Sequence, residues 1–121
     1  MTTVLLVEDS LTDAELLSHY LRQAGFIVVG VTNCEEARVK LQIHKPDLVL
    51  LDVILPGESG FELCHELKTN HCTEQIPVVI CSTKGTDVDK LWGKMLGADA
   101  YLAKPVDQND LMDTVRRLVT A

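Results

Sequence analysis

No apolar run in this 121-residue chain approaches the roughly 18 residues that a membrane-spanning helix needs, which argues against a membrane protein. The opening MTTVLLVEDS has no basic segment and reaches an acidic pair at once. It does not read as a secretion signal, and a cytoplasmic protein is the expectation. Basic charge is scarce: eleven Lys and Arg stand against eighteen Asp and Glu, a formal net charge of -7. That balance argues against a nucleic-acid partner, which calls for a basic patch. None of the four cysteines (Cys34, Cys64, Cys72, Cys81) forms a C-x-x-C pair, and without a secretion signal a disulfide framework is not expected. The stretch CHELKTNHC does set Cys64-His65 and His71-Cys72 at mirrored positions, a spacing open to a zinc reading. Neighbours on a helix point about 100° apart, however, so the four could hardly converge, and reduced structural or surface thiols are expected. His19, His44, His65 and His71 fall in helical patterns and read as surface residues. No repeat, linker or low-complexity segment divides the chain, which suits one domain over residues 1–121.

What is present is an alternation of short apolar runs and amphipathic segments. TVLLV (3–7), FIVVGV (26–31), DLVLL (47–51), PVVIC (77–81) and AYLA (100–103) read as strands. Continuous apolar runs suit parallel strands covered on both faces. Between them lie helices with start and stop signals. Ser10, with Asp13 three residues on, opens the first, which turns Ala14, Leu17, Leu21 and Ala24 inward and ends at Gly25. Asn33 with Glu36 opens the second, which carries Ala37 and Leu41 and is stopped by Pro46. The third follows Gly57-Glu58-Ser59-Gly60 with Phe61, Cys64 and Leu67. The fourth begins near Thr86 and carries Val88, Leu91, Trp92, Met95 and Leu96 as a helical stripe. The fifth begins at Asp107 with Leu111, Val115, Leu118 and Val119. Five strands alternating with five helices predict an α/β fold, a parallel sheet with right-handed crossovers.

In such sheets, chemistry gathers outside the carboxyl ends of the strands. In the run DLVLLDVILPG, Asp52 interrupts apolar sequence, and burying a lone carboxylate there would cost several kcal/mol. It is tolerable at a strand end that supplies partners. Glu8 and Asp9 follow strand one, Asp52 follows strand three, Ser82 and Thr83 follow strand four, and Lys104 follows strand five. Singly, each has an ordinary reading: Asp52 as a turn cap, Glu8 and Asp9 as solvated loop acids, Ser10 or Ser82 as caps, Lys104 as a surface lysine. Jointly they place three carboxylates on one rim with a lysine and a hydroxyl. A hard divalent cation such as Mg²⁺ relieves the repulsion, and a phosphoryl group suits the lysine and the hydroxyl. A carboxylate in that setting can act as a nucleophile toward phosphorus.

The motifs LLVEDS, LVLLDVILPGESG, PVVICST and GADAYLAKPV resemble the CheY-like receiver domains of two-component response regulators, and the likeness runs the length of the chain. The resemblance implies a flavodoxin-like (βα)5 fold with strand order 2-1-3-4-5. It implies Asp52 as phospho-acceptor, Asp9 and Asp52 as direct Mg²⁺ ligands, Glu8 as a ligand through water, and the Ile54 backbone carbonyl as a further ligand. It further implies that Lys104 pairs with the phosphoryl group, that the Lys104–Pro105 peptide is cis, and that Ser82 and Tyr101 are the switch pair. Those residues would remodel the face formed by helix four, strand five and helix five. The run STKGTDVDKLWGKMLGADAYLAKPVDQNDL is also similar to regulators of type IV pilus chemosensory systems, the PilH and PilG kind. Three positions depart from the common pattern. Glu8 stands where Asp is frequent, Thr83 is bulkier than the usual small residue, and Ile54 offers no polar group to orient water.

The implied partners are a sensor histidine kinase or histidine phosphotransfer domain and a downstream target protein, with no output domain after helix five. A phosphate sink for a shared kinase fits the same residues. So does a phosphorylation-independent binding module, although that reading would be signalled by loss of Asp52, Asp9 or Lys104, and all three are present. A haloacid-dehalogenase phosphatase requires D-x-D, and Asp52 is followed by Val53-Ile54. A flavodoxin-type electron carrier requires a Ser/Thr/Gly-rich phosphate loop where this chain has EDSLTD. A receiver that is modified rather than a turnover enzyme is therefore expected.

Overall fold

A computed structural model describes residues 1–119; the expected domain, drawn to Ala121, runs two residues past them. Five strands form one sheet: β1 (Thr3–Val7), β2 (Ile27–Val31), β3 (Leu48–Leu51), β4 (Val78–Ser82) and β5 (Ala100–Ala103). The helices between and after them are α1 (Leu11–Gln23), α2 (Cys34–Ile43), α3 (Gly60–Thr69), α4 (Asp87–Met95) and α5 (Gln108–Val119). The strands are all parallel and lie in the order β2-β1-β3-β4-β5, as expected. Boundaries move by one residue: Phe26, Asp47 and Pro77 stand before their strands, and Ser82 is the last residue of β4 rather than the residue after it.

Strand side chains alternate between faces, so each continuous apolar run feeds two cores. Leu5, Val7, Val49, Leu51, Val78 and Ile80 pack with Ala37 and Leu41 of α2 and Leu63, Cys64 and Leu67 of α3. Val4, Leu6, Leu48, Leu50, Val79 and Cys81 pack with Leu17 and Leu21 of α1 and Leu111, Met112 and Val115 of α5. Both faces of the central strands are thus covered, which is why these runs lack the polar alternation of a one-sided sheet.

The caps follow the sequence signals. Ser10 Oγ accepts the Asp13 N–H at 3.3 Å, and Asn33 Oδ1 accepts the Glu36 N–H at 2.8 Å. Thr86 and Asp89 cap α4 reciprocally. Cys34, Cys64 and Cys81 are buried free thiols, pushed by burial up to about 11, 11 and 12, and Cys72 is exposed. Thiols held so far above neutrality are inert fillers of the core. The four histidines are exposed, but His44 is the residue capping the end of α2 and His71 lies in a turn, so neither is helical. His65 and Cys72 point to solvent while Cys64 is buried, so CHELKTNHC does not assemble a metal site.

The stripe on α4 departs most from expectation. Val88, Leu91, Trp92 and Met95 are exposed, and the one buried residue of α4 is Gly93. A Cβ on Gly93 would stand 2.9 Å from the Tyr101 ring and 3.2 Å from Ile80 Cδ1. The helix therefore lies on the sheet through a glycine, with the aromatic ring in the space a side chain would take. At about 100° per residue, the side carrying Gly93 is opposite the stripe, which faces solvent.

Candidate functional site

The rim at the carboxyl ends of the strands is set by backbone that continues the sheet beyond its strands. The Glu8 N–H donates to the Val31 carbonyl at 3.0 Å, the Asp52 N–H to the Val7 carbonyl at 3.0 Å, and the Lys104 N–H to the Ser82 carbonyl at 2.9 Å. Each side chain leaves a fixed peptide, so the convergence expected from sequence is built into the ladder. Among the described residues, the buried polar side chains are Glu8, Asp52 and Ser82, and all three lie on this rim.

Lys104 allows two carboxylates to be buried side by side. Its Nζ donates to Glu8 Oε1 at 2.5 Å, to Asp13 Oδ2 at 3.0 Å and to Asp52 Oδ2 at 3.1 Å. An ammonium has three N–H donors, and all three are engaged. Burial alone would lower the lysine's pKa, but its bonds to Glu8 and Asp13, reinforced by the charge of Asp52, hold it above its ordinary range. Glu8 is shifted upward: its burial and the nearby charge of Asp52 outweigh the pull of the ammonium and of the Ser10 N–H. The Lys104–Pro105 peptide is cis.

Carboxylate oxygens of Glu8, Asp9 and Asp52 lie within 4.8 Å of one another, and Asp9 is open to solvent. An all-oxygen donor set of this kind fits a hard divalent cation, Mg²⁺ or Ca²⁺, rather than zinc. Counting Asp13, four carboxylates stand against one ammonium, so the rim retains negative charge for such an ion to neutralise. The Ile54 N–H donates to Asp52 Oδ1 at 3.3 Å and keeps this loop residue beside the acid.

Ser82 and Tyr101 meet through the backbone of a third residue. Ser82 Oγ accepts the Lys84 N–H at 3.2 Å, and the Tyr101 hydroxyl donates to the Lys84 carbonyl. The half-buried Tyr101 ring lies against Phe61, centroids 6.5 Å apart, and burial, with the charges of Asp89 and Asp52 adding, pushes its hydroxyl up to about 12. The phenol is neutral at physiological pH and available as a donor.

Three contributors were missed in the sequence. Asp13 reads there as the partner of Ser10 in a helix cap, but its side chain goes to Lys104 instead. Its position four residues after Asp9, one helical turn into the segment that leaves the rim, is the signal that could have found it. Gly60 reads as part of a turn; a Cβ there would fall 1.9 Å from the Asp52 carbonyl oxygen, so only glycine lets α3 start against the peptide that carries the acid. Lys84 acts through its peptide, which no side-chain pattern announces.

A twisted parallel sheet of this order, with an acidic trio and a lysine at its carboxyl edge, defines a response-regulator receiver. Residues 4–116 match the response regulator receiver domain family, and the chain belongs to it. It is 37% identical to Protein PilH of Pseudomonas aeruginosa over 98% of both chains. It is 34% identical to the phosphate regulon transcriptional regulatory protein PhoB of the same organism, over 97% of this chain but 51% of PhoB. Among solved structures, a putative response regulator from Chloroflexus aurantiacus superposes with a TM-score of 0.95 at 33% identity, covering 99% of this chain and 98% of the other. The Vibrio cholerae chemotaxis protein CheY4 superposes with a TM-score of 0.89 at 30% identity, covering 98% of each. No helix among the described residues is long and apolar enough to cross a membrane.

Proposed function

We propose that this receiver takes a phosphoryl group on Asp52 from the phosphohistidine of a sensor histidine kinase or histidine phosphotransfer domain, in the cytoplasm. The observation that carries this reading is the burial of Asp52 within 3.1 Å of Lys104 Nζ, in a trio whose oxygens lie within 4.8 Å. An Asp52 carboxylate oxygen attacks phosphorus, the P–N bond breaks, and the histidine ring leaves with the electron pair. Lys104 stands where it can donate to a phosphoryl oxygen and neutralise the charge that develops there. Asp9 and Asp52 directly, Glu8 through water and the Ile54 carbonyl would hold Mg²⁺, which supplies the remaining charge neutralisation. The receiver ends modified rather than turning over.

Ser82 and Tyr101 carry the signal outward. Both hold the Lys84 backbone, Ser82 at its N–H and Tyr101 at its carbonyl, so a phosphoryl oxygen that draws the Ser82 hydroxyl loosens the segment that Tyr101 grips. Tyr101 in turn is the seat of α4, whose apolar stripe faces solvent, and output by protein contact through the α4–β5–α5 face follows, with no nucleic acid involved. The likeness to PilH along both chains supports a place in a pilus-type chemosensory pathway.

Intact mass after incubation with acetyl phosphate tests the reading. The protein gains one phosphoryl mass with Mg²⁺ and none without it, and Asp52→Asn gains none. A gain by Asp52→Asn would place the acceptor elsewhere.

A further inference from the structure

Resting on the assignment of Asp52 as phospho-acceptor, we infer that Asp13 is a positioning residue that holds Lys104 while the site is empty and releases it to the incoming phosphoryl group. The three donors of Lys104 are all engaged, so the lysine can bind a phosphoryl oxygen only by giving up a present partner. Asp52 is the acceptor itself: its bond to Lys104 is given up when its oxygen joins phosphorus, which frees one donor for a group that offers three oxygens. Glu8 is 3% exposed, and its other bond is the 3.2 Å contact from the Ser10 N–H, so even with a cation held through water, losing the ammonium would leave a buried charge with one direct bond. The Asp13 side chain is 40% exposed, and water can take the place of the lysine there at little loss. Asp13 is therefore the further partner that yields when the lysine turns to the phosphoryl group.

The position of Asp13 suits this role. It lies in the first turn of α1, where its own N–H, bonded to Ser10 Oγ, fixes the backbone from which the carboxylate reaches the lysine. It lies outside the trio of carboxylates whose oxygens gather within 4.8 Å. Its charge thus competes with the phosphoryl group for Lys104 without serving as one of the acids that would hold the cation. Asp13 sets how readily the site accepts and keeps a phosphoryl group.

The test is the affinity for beryllofluoride, a phosphoryl stand-in, at saturating Mg²⁺, read by fluorine NMR of the bound species. Asp13→Asn removes the competing charge and is expected to bind roughly two- to fivefold tighter than wild type, the range a half-exposed ion pair is worth. Asp13→Glu restores the carboxylate and returns the affinity to the wild-type value. Glu15→Gln removes an equal charge from an exposed site on the same helix and leaves the affinity unchanged. Unchanged or weaker binding by Asp13→Asn, with wild type binding normally, overturns the role of Asp13 alone. Equal tightening by Glu15→Gln also overturns it, because net charge then accounts for the effect. A wild type that fails to bind overturns both this inference and the phospho-acceptor reading beneath it.

Discussion

Helices α4 and α5 both carry an apolar stripe of helical period, yet α5 buries Leu111, Met112 and Val115 while α4 leaves Val88, Leu91, Trp92 and Met95 in solvent. The pattern states that a helix has two unlike faces. It does not state which face meets the sheet. On α5 the apolar face fits between α1 and the strands, and burying it stabilises the fold. On α4 the sheet offers the Tyr101 ring, which fits against Gly93 and against nothing larger. The stripe is left free, and four large apolar side chains exposed on one helix support the proposal that this face is a contact surface rather than a core.

Substitutions should separate the two helices, the largest effect coming from α5. Leu111→Ala removes a fully buried side chain and should lower the unfolding free energy by about 2–5 kcal/mol in chemical denaturation. A loss below that range would mean that the α5 face is less essential to the core than its burial indicates. Gly93→Val should cost about 1–3 kcal/mol, because the new side chain has to displace the Tyr101 ring or lift α4 from the sheet. Unchanged stability would show that α4 is not seated on that ring. The smallest effect belongs to the stripe: Met95, 68% exposed, should be replaceable by Ala within about 0.5 kcal/mol. A Met95→Ala loss as large as that of Leu111→Ala would erase the distinction between the helices.

These two helices also show where sequence reasoning reaches its limit. The strands, the order of elements and the acids at the strand ends were legible because apolar runs end abruptly at Glu8, Asp52 and Lys104, and a charge cannot continue a buried run without a partner. The orientation of α4 was not legible, because it is decided by a contact between Gly93 and Tyr101, eight residues apart in sequence and on different elements. Asp13 was hidden for a related reason. An acid in the first turn of a helix already has an ordinary role there, and only the fold reveals that Lys104, ninety-one residues later, reaches it. Gly60 likewise looked like a loop glycine until the Asp52 carbonyl was found where its Cβ would be.

The central claim is that the buried carboxylate of Asp52 is the atom group that takes the phosphoryl load. Borohydride reduction of the phosphorylated protein, followed by peptide mapping, tests it most directly, since an acyl phosphate is reduced to the alcohol while a free carboxylate is not. The account predicts homoserine at position 52, with Asp9 and Asp13 recovered unchanged. Homoserine at position 9 or 13, with Asp52 intact, would contradict it.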